Sequence, residues 1–139
     1  MPEYRLAIRV YIEDTDAGGI VYYVNYLKYF ERARTELMRS LGVDKTAVME
    51  DGSVFVVTSA AIDYHAPARL DDQLEAVAEV VNSGAATIEF RQSVVRSGIE
   101  LASGQVRVAL TDGESGKPKR MPKGLRELLT QSTRVIEEW

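Results

Sequence analysis

Residues 13–26 read Glu13-Asp14-Thr15-Asp16-Ala17-Gly18-Gly19-Ile20-Val21-Tyr22-Tyr23-Val24-Asn25-Tyr26, or EDTDAGGIVYYVNY. Three carboxylates in four positions are followed by two glycines and an apolar, tyrosine-rich run. Upstream, Tyr4, Leu6, Ile8, Val10 and Ile12 alternate with Arg5, Ala7, Arg9 and Tyr11, the period of two of a half-buried strand. Downstream, Leu27, Phe30, Ala33, Leu37, Met38 and Leu41 recur at spacings of three and four, which predicts a helix with one apolar side. Asn25 is placed to cap its first turn and Gly42 to terminate it. The acidic loop therefore joins a strand to the start of a long helix.

Beyond Gly52 the pattern turns to strands. Ser53 to Tyr64 holds Val54–Val57 and then Ala60, Ile62 and Tyr64 in alternation, closed by Pro67. Leu74–Val81, Ala86–Arg96 and Leu101–Thr111 follow, separated by Asn82-Ser83-Gly84, Ser97-Gly98 and, at the end, Asp112-Gly113. Breaks this short join antiparallel strands and leave no room for crossover helices. A second helix is predicted from Pro122, with Leu125, Leu128, Leu129, Val135, Ile136 and Trp139 as one apolar stripe. The resulting class is α+β: a long helix and an antiparallel sheet, with a C-terminal helix, in a single domain over residues 1–139. Exposed sheet edges in such a domain favour pairing with a second copy.

The 139 residues suffice for a core, and 45% hydrophobic with 27% charged residues is ordinary globular composition. There is no cysteine, which removes disulfides, thiol nucleophiles and thiolate metal sites. A net charge of −4 argues against broad nucleic-acid binding. Neither a signal peptide nor a membrane span is read, so the expected location is cytoplasmic.

An Asp-x-Asp loop suits three chemistries. In a calcium loop counted from Asp14, Asp16 and Gly19 fall at positions three and six, but Gly18 and Asn25 occupy two positions that need oxygen ligands. Aspartyl phosphoryl transfer needs a parallel sheet, which the hairpin pattern does not provide. The third is a carboxylate that attacks an acyl carbon, or activates water against it, beside a helix N-terminus that stabilises negative charge. Gly18 and Gly19 would let backbone N–H groups approach a substrate carbonyl. The same residues also make an ordinary loop before a helix, with Asp14 as a turn-forming residue.

Arg9 to Gly42, RVYIEDTDAGGIVYYVNYLKYFERARTELMRSLG, resembles the signature of the 4-hydroxybenzoyl-CoA thioesterase family of hot-dog proteins. IDYHAPARLDDQLEA (62–76) and GKPKRMPKGL (116–125) make it most similar to the branch associated with the Tol-Pal envelope system. The resemblance implies a curved antiparallel sheet wrapped around the long helix. It also implies a homodimer or homotetramer with sites at the dimer interface, and hydrolysis of an acyl-CoA thioester without metal or cofactor. By resemblance Asp16 is the catalytic carboxylate, and the backbone N–H of Tyr23 is the oxyanion donor. The Tol-Pal branch usually has histidine at the position of Tyr23, whereas the benzoyl-CoA enzymes can carry tyrosine. This leaves the acyl preference open. Partners in such a setting would be the acyl-CoA substrate, an acyl-carrier protein or envelope-system proteins. The alternative of another class is a non-catalytic acyl-CoA or acyl-carrier-protein binding module.

Other residues fit into this frame. Gly19 belongs to the substrate cradle, and Tyr22 and Tyr26 are candidates for an acyl-pocket wall. Glu31, on the helix, is expected to support the site through a hydrogen bond, as some hot-dog enzymes use a helical glutamate. Thr58 and Ser59 are candidates to line the site beside the thioester. Arg69, Lys117, Lys119 and Arg120 are candidates for the CoA phosphates. His65, the one histidine, is expected at a surface or an interface.

Overall fold

The computed structural model describes residues 1–43, 49 and 51–139. In chain order the elements are β1 (Glu3–Arg9), a 3-10 turn (Ile12–Asp14), α1 (Asn25–Ser40), β2 (Val54–Tyr64), β3 (Gln73–Ser83), β4 (Thr87–Arg96), β5 (Ile99–Thr111), α2 (Lys123–Leu129) and β6 (Arg134–Ile136). One six-stranded sheet runs in the order β2-β5-β4-β3-β1-β6. Every pairing is antiparallel except β1 with β6. This is the hot-dog arrangement of one long helix held by a curved sheet.

Alternation along the strands sets the inner face. Tyr4 and Ile8 of β1, Leu74, Ala76, Ala78 and Val80 of β3, and Ile88, Phe90 and Val94 of β4 are all buried. Against them α1 places Tyr29, Phe30, Ala33 and Leu37, each at most 1% exposed. The helix ends as expected at Gly42. Gly42 has φ +91° and donates to Arg39 O at 2.9 Å, while Val43 N–H reaches back to Met38 O at 3.0 Å.

Three expectations change. The first strand stops at Arg9, because the chain bends into the 3-10 turn at Ile12. Asn25 is already helical, and Val24 is the N-cap without a side-chain capping bond. The Asn25 amide instead donates to the Asp14 carbonyl at 2.8 Å. The C-terminal helix ends at Leu129, and Val135 and Ile136 lie in β6, parallel to β1, where Tyr4 pairs with Val135. A short apolar run at helical spacing also alternates well enough for a strand, and the edge of β1 offers it backbone partners.

Gly104 in β5 fixes how closely α1 approaches. A Cβ there would collide with the Ala61 carbonyl oxygen and press on the ring of Phe30. We expect Gly104→Ala to destabilise the fold by ~1–3 kcal/mol, the usual cost of overpacking. Gly124→Ala, in α2 with nothing near the added methyl, should cost nothing. Chemical denaturation of both variants checks the contrast.

Candidate active site

The loop from Thr15 to Val21 closes as a small turn. Thr15 and Val21 form an isolated bridge, Asp16 N–H donates to Ile20 O at 2.9 Å, and Gly19 N–H returns to Asp16 O at 3.1 Å. Gly19, with φ +76°, makes the reversal in a region that other residues avoid. At the tip, the exposed Asp16 accepts the Gly18 N–H on Oδ1 at 2.9 Å. Its Oδ2 has no hydrogen-bond partner among the described residues.

Asp14 shapes this loop. Its carboxylate accepts Tyr11 N–H at 2.8 Å, and its carbonyl accepts both Tyr22 N–H at 2.9 Å and the Asn25 amide at 2.8 Å. The loop is thereby anchored to the start of α1. A second brace comes from the segment crossing between β2 and β3. Val21 N–H donates to Ala68 O at 2.8 Å, Ile20 bridges Arg69, and Leu70 N–H reaches Gly19 O at 3.2 Å. Asp72 holds that segment, accepting Arg69 N–H at 2.8 Å and Arg96 at 2.6 Å. Partial burial opposes ionisation of Asp72, but these donors outweigh it and keep the carboxyl below its usual range.

Among the described residues, neither Tyr23 N–H nor Val24 N–H has an intramolecular acceptor. Val24 is the N-cap of α1 and Tyr23 the residue before it, so both N–H groups stand at the helix end whose dipole favours negative charge. The Tyr23 carbonyl accepts the Tyr64 hydroxyl at 3.1 Å, which ties the end of β2 to this helix start. Tyr23 and Tyr64 meet edge to face at 6.1 Å, and Tyr26 lies 5.4 Å from Tyr64. Tyr26 is buried, and its hydroxyl accepts Ala68 N–H at 3.0 Å, whereas Tyr22 is exposed. Tyr29 is buried with its hydroxyl lacking a partner among the described residues. Burial and then the nearby Asp14 charge push that phenol well above its usual range, so it stays neutral.

From Val24 a groove follows α1. Leu27, Glu31, Arg34 and Met38, at spacings of three and four, form its helical side. Phe55, Val57 and Ala60 of β2 form the opposite side. It consists of two adjoining hollows of about 330 and 250 Å³, both bordered by Glu31, Arg34 and Val57.

The fold thus brings Asp16, Gly19, Tyr22, Tyr23, Tyr26 and Arg69 together at the helix start. Glu31 lies two turns further along, beside the groove. Thr58 and Ser59 are not on that wall. A bulge follows Val57, Ser59 pairs with Arg107 on the outer face, and the Thr58 hydroxyl donates to Arg107 O at 3.3 Å. Lys117, Lys119 and Arg120 sit at the far end of β2, where Lys119 pairs with Asp51 at 2.9 Å. His65 is exposed, with Nε2 2.8 Å from the Ser103 hydroxyl. Asn25, Tyr29, Tyr64 and Arg34 also belong to this region. Of these, only Arg34 carried a signal, being a charge set among the buried helix positions Phe30, Ala33, Leu37 and Met38. Among the described residues, no three acidic or histidine side chains converge to hold a metal ion.

The profile of the thioesterase-like superfamily matches residues 10–129. An acyl-CoA thioesterase, YbgC, from Haemophilus influenzae is 43% identical over 124 residues, covering 88% of this chain and 91% of that protein. The acyl-CoA thioester hydrolase YbgC of Escherichia coli is 39% identical, covering 88% of this chain and 92% of its own. Among solved structures, a probable thioesterase from Bartonella henselae superposes with a TM-score of 0.79 at 31% identity, over 86% of this chain and 99% of that one. With the profile covering most of the chain and relatives of this identity matching along nearly their whole length, the chain belongs to the thioesterase-like superfamily.

Proposed function

We propose that the protein is an acyl-CoA thioesterase in which Asp16 supplies the reactive carboxylate and Tyr23 N–H the oxyanion donor. One observation carries this reading: among the described residues, Asp16 presents a carboxylate oxygen without a partner from a turn that the Asp14 carbonyl locks to a helix start with unpartnered N–H groups. The relatives named as acyl-CoA thioesterases support the substrate class.

The thioester carbonyl would lie with its oxygen at Tyr23 N–H and its carbon in front of Asp16 Oδ2. Attack makes the oxygen an alkoxide, which the N–H and the helix dipole stabilise more than they stabilise the ground-state carbonyl. The intermediate collapses by breaking the C–S bond, and the CoA thiolate leaves and takes up a proton. If Asp16 is the nucleophile, a mixed anhydride remains for water to cleave. If Asp16 is the base, it removes a proton from the water that attacks, and the free acid forms in one displacement. A trapped acyl-Asp16 adduct under rapid quench separates the two routes.

The basic residues suggest how CoA is held. β2 is an edge strand of eleven residues, about 33 Å long, and Lys117, Lys119 and Arg120 lie at the end opposite Tyr64. In a twofold dimer with β2 antiparallel to its copy, the partner subunit's Lys117 and Arg120 approach the Asp16 site of the first protomer. Arg69 would add a cation from the same chain. Arg and Lys suit phosphate.

Asp16→Asn is expected to lower thiol release from acyl-CoA by at least ~10²-fold with the fold intact, measured with a thiol reagent and circular dichroism. A variant that keeps most of the wild-type rate would remove Asp16 from the mechanism. Sedimentation at micromolar concentration should show no main species at the 15.5 kDa monomer. Mixing Asp16→Asn chains with a Lys117→Ala/Arg120→Ala variant, after dissociation and reassembly, should give more activity than either alone. No gain on mixing would sink the shared site.

A further inference from the structure

Arg34 is the cation of α1 that turns inward, while Lys28, Arg32 and Arg39 are exposed. Its guanidinium donates to Gln92 Oε1 at 2.8 Å. Gln92, 1% exposed, is itself held by donation from Nε2 to the Phe30 carbonyl at 2.8 Å. This fixes the amide with its oxygen towards Arg34. The core therefore supplies the guanidinium with a neutral acceptor, and among the described residues no carboxylate comes within 4.0 Å of it. Arg34 borders both hollows of the groove, and a guanidinium has five donors to satisfy.

Glu31, one turn earlier, borders the same hollows. Around this pair the wall is mainly apolar, with Phe55, Val57, Phe90 and Val108, while Thr35 borders the first hollow and the exposed Lys28 the rim of the second. A plain alkyl chain filling the groove would strip solvent from both charges and return nothing. A carboxylate would be drawn to Arg34 but repelled by Glu31. A hydroxyl accepts from the guanidinium and donates to the carboxylate, so it satisfies both.

Position sets the length. Through Gln92 the guanidinium is pinned near the level of Phe30, seven residues beyond Tyr23, which is ~10 Å along the helix axis. With C–C bonds of ~1.5 Å at tetrahedral angles, an extended acyl chain advances ~1.3 Å per bond, so one with its carbonyl at Tyr23 N–H spans that distance with roughly eight carbons. We infer that the groove beside Arg34 and Glu31 is a specificity pocket for the far end of the acyl chain, selecting medium-length acyl groups that carry a hydroxyl there. The inference rests on the thioesterase reading above, which places the thioester at Tyr23.

The test measures kcat/KM of the wild-type protein for butyryl-CoA, octanoyl-CoA, 8-hydroxyoctanoyl-CoA and the mono-CoA thioester of octanedioic acid. The hydroxylated substrate should exceed octanoyl-CoA by at least ~10-fold, the worth of one hydrogen bond to a charged group, and should also exceed the dioic thioester. Arg34→Met should collapse the hydroxyl preference by a similar factor. Arg34→Lys, which keeps the charge without the fork, should retain part of it. Equal wild-type rates on octanoyl-CoA and its hydroxylated form overturn the inference without needing any variant. So does a preference that survives Arg34→Met, or a preference for the dioic thioester. A changed oligomeric state in Arg34→Met with an unchanged ratio would make the groove an interface between copies and likewise overturn it. Butyryl-CoA, too short to reach Arg34, separates the two levels. Its Asp16-dependent hydrolysis alongside a failed hydroxyl preference defeats the pocket alone, whereas no thiol release from any of the four substrates defeats the thioesterase reading with it.

Discussion

Phe30 lies fully buried against β5 at Gly104, where an added methyl would press on its ring at 3.1 Å and clash with the Ala61 carbonyl oxygen of β2. That contact sets the height of α1 above the sheet, and the remaining helix contacts follow from it. Tyr29, Ala33 and Leu37 drop into the same layer. Packing of this density holds a helix to a single position, since neighbours cannot shift without opening voids. The helix start is then carried to the place where the acidic loop and the segment before β3 converge. A rigid seat more than one turn away thus determines where two backbone N–H groups point.

The start of α1 is poor as a helix terminus and suited to a site. Its N-cap is Val24, and no acidic residue stands in its first turn. Asn25, whose side chain is of a capping type, is committed to the Asp14 carbonyl. An ordinary surface helix would gain ~1 kcal/mol from a side-chain cap here. Forgoing it leaves the N–H donors and the positive end of the dipole available to an incoming oxygen. The inward Arg34 shows the same trait. It is fixed by the neutral amide of Gln92, where a carboxylate would have neutralised it.

Much of this was legible before any coordinates. The spacing of Leu27, Phe30, Ala33 and Leu37 predicted α1, Gly42 its end, and the short polar breaks the antiparallel pairings of β3, β4 and β5. The junction of Asp16 with a helix start also followed from order along the chain. What was not legible depends on partners distant in sequence. Val135 and Ile136 became a strand because β1 offered an edge. Asn25 left the cap because Asp14 came within reach. A bulge after Val57 puts Ser59 out of phase with Phe55 and Val57 and on the outer face, and the unbroken apolar run Val54–Val57 gives no sign of where the phase changes. Lys117 and Arg120 were candidates for the CoA phosphates, yet the topology puts them at the other end of β2 from Tyr64.

The parallel strand β6 has a consequence for growth of the sheet. By lying along β1 it occupies the backbone groups at that side of the sheet near Tyr4, and its own three residues present too little edge to template another long strand. The molecule therefore has a head but no matching tail. Open-ended stacking needs two complementary long edges, one to give and one to receive. Among the described residues β2 is the long edge without a neighbour, and only Leu6–Arg9 of β1 extend beyond β6 at the other side, so addition through a long edge pairs β2 with its own copy and closes on itself.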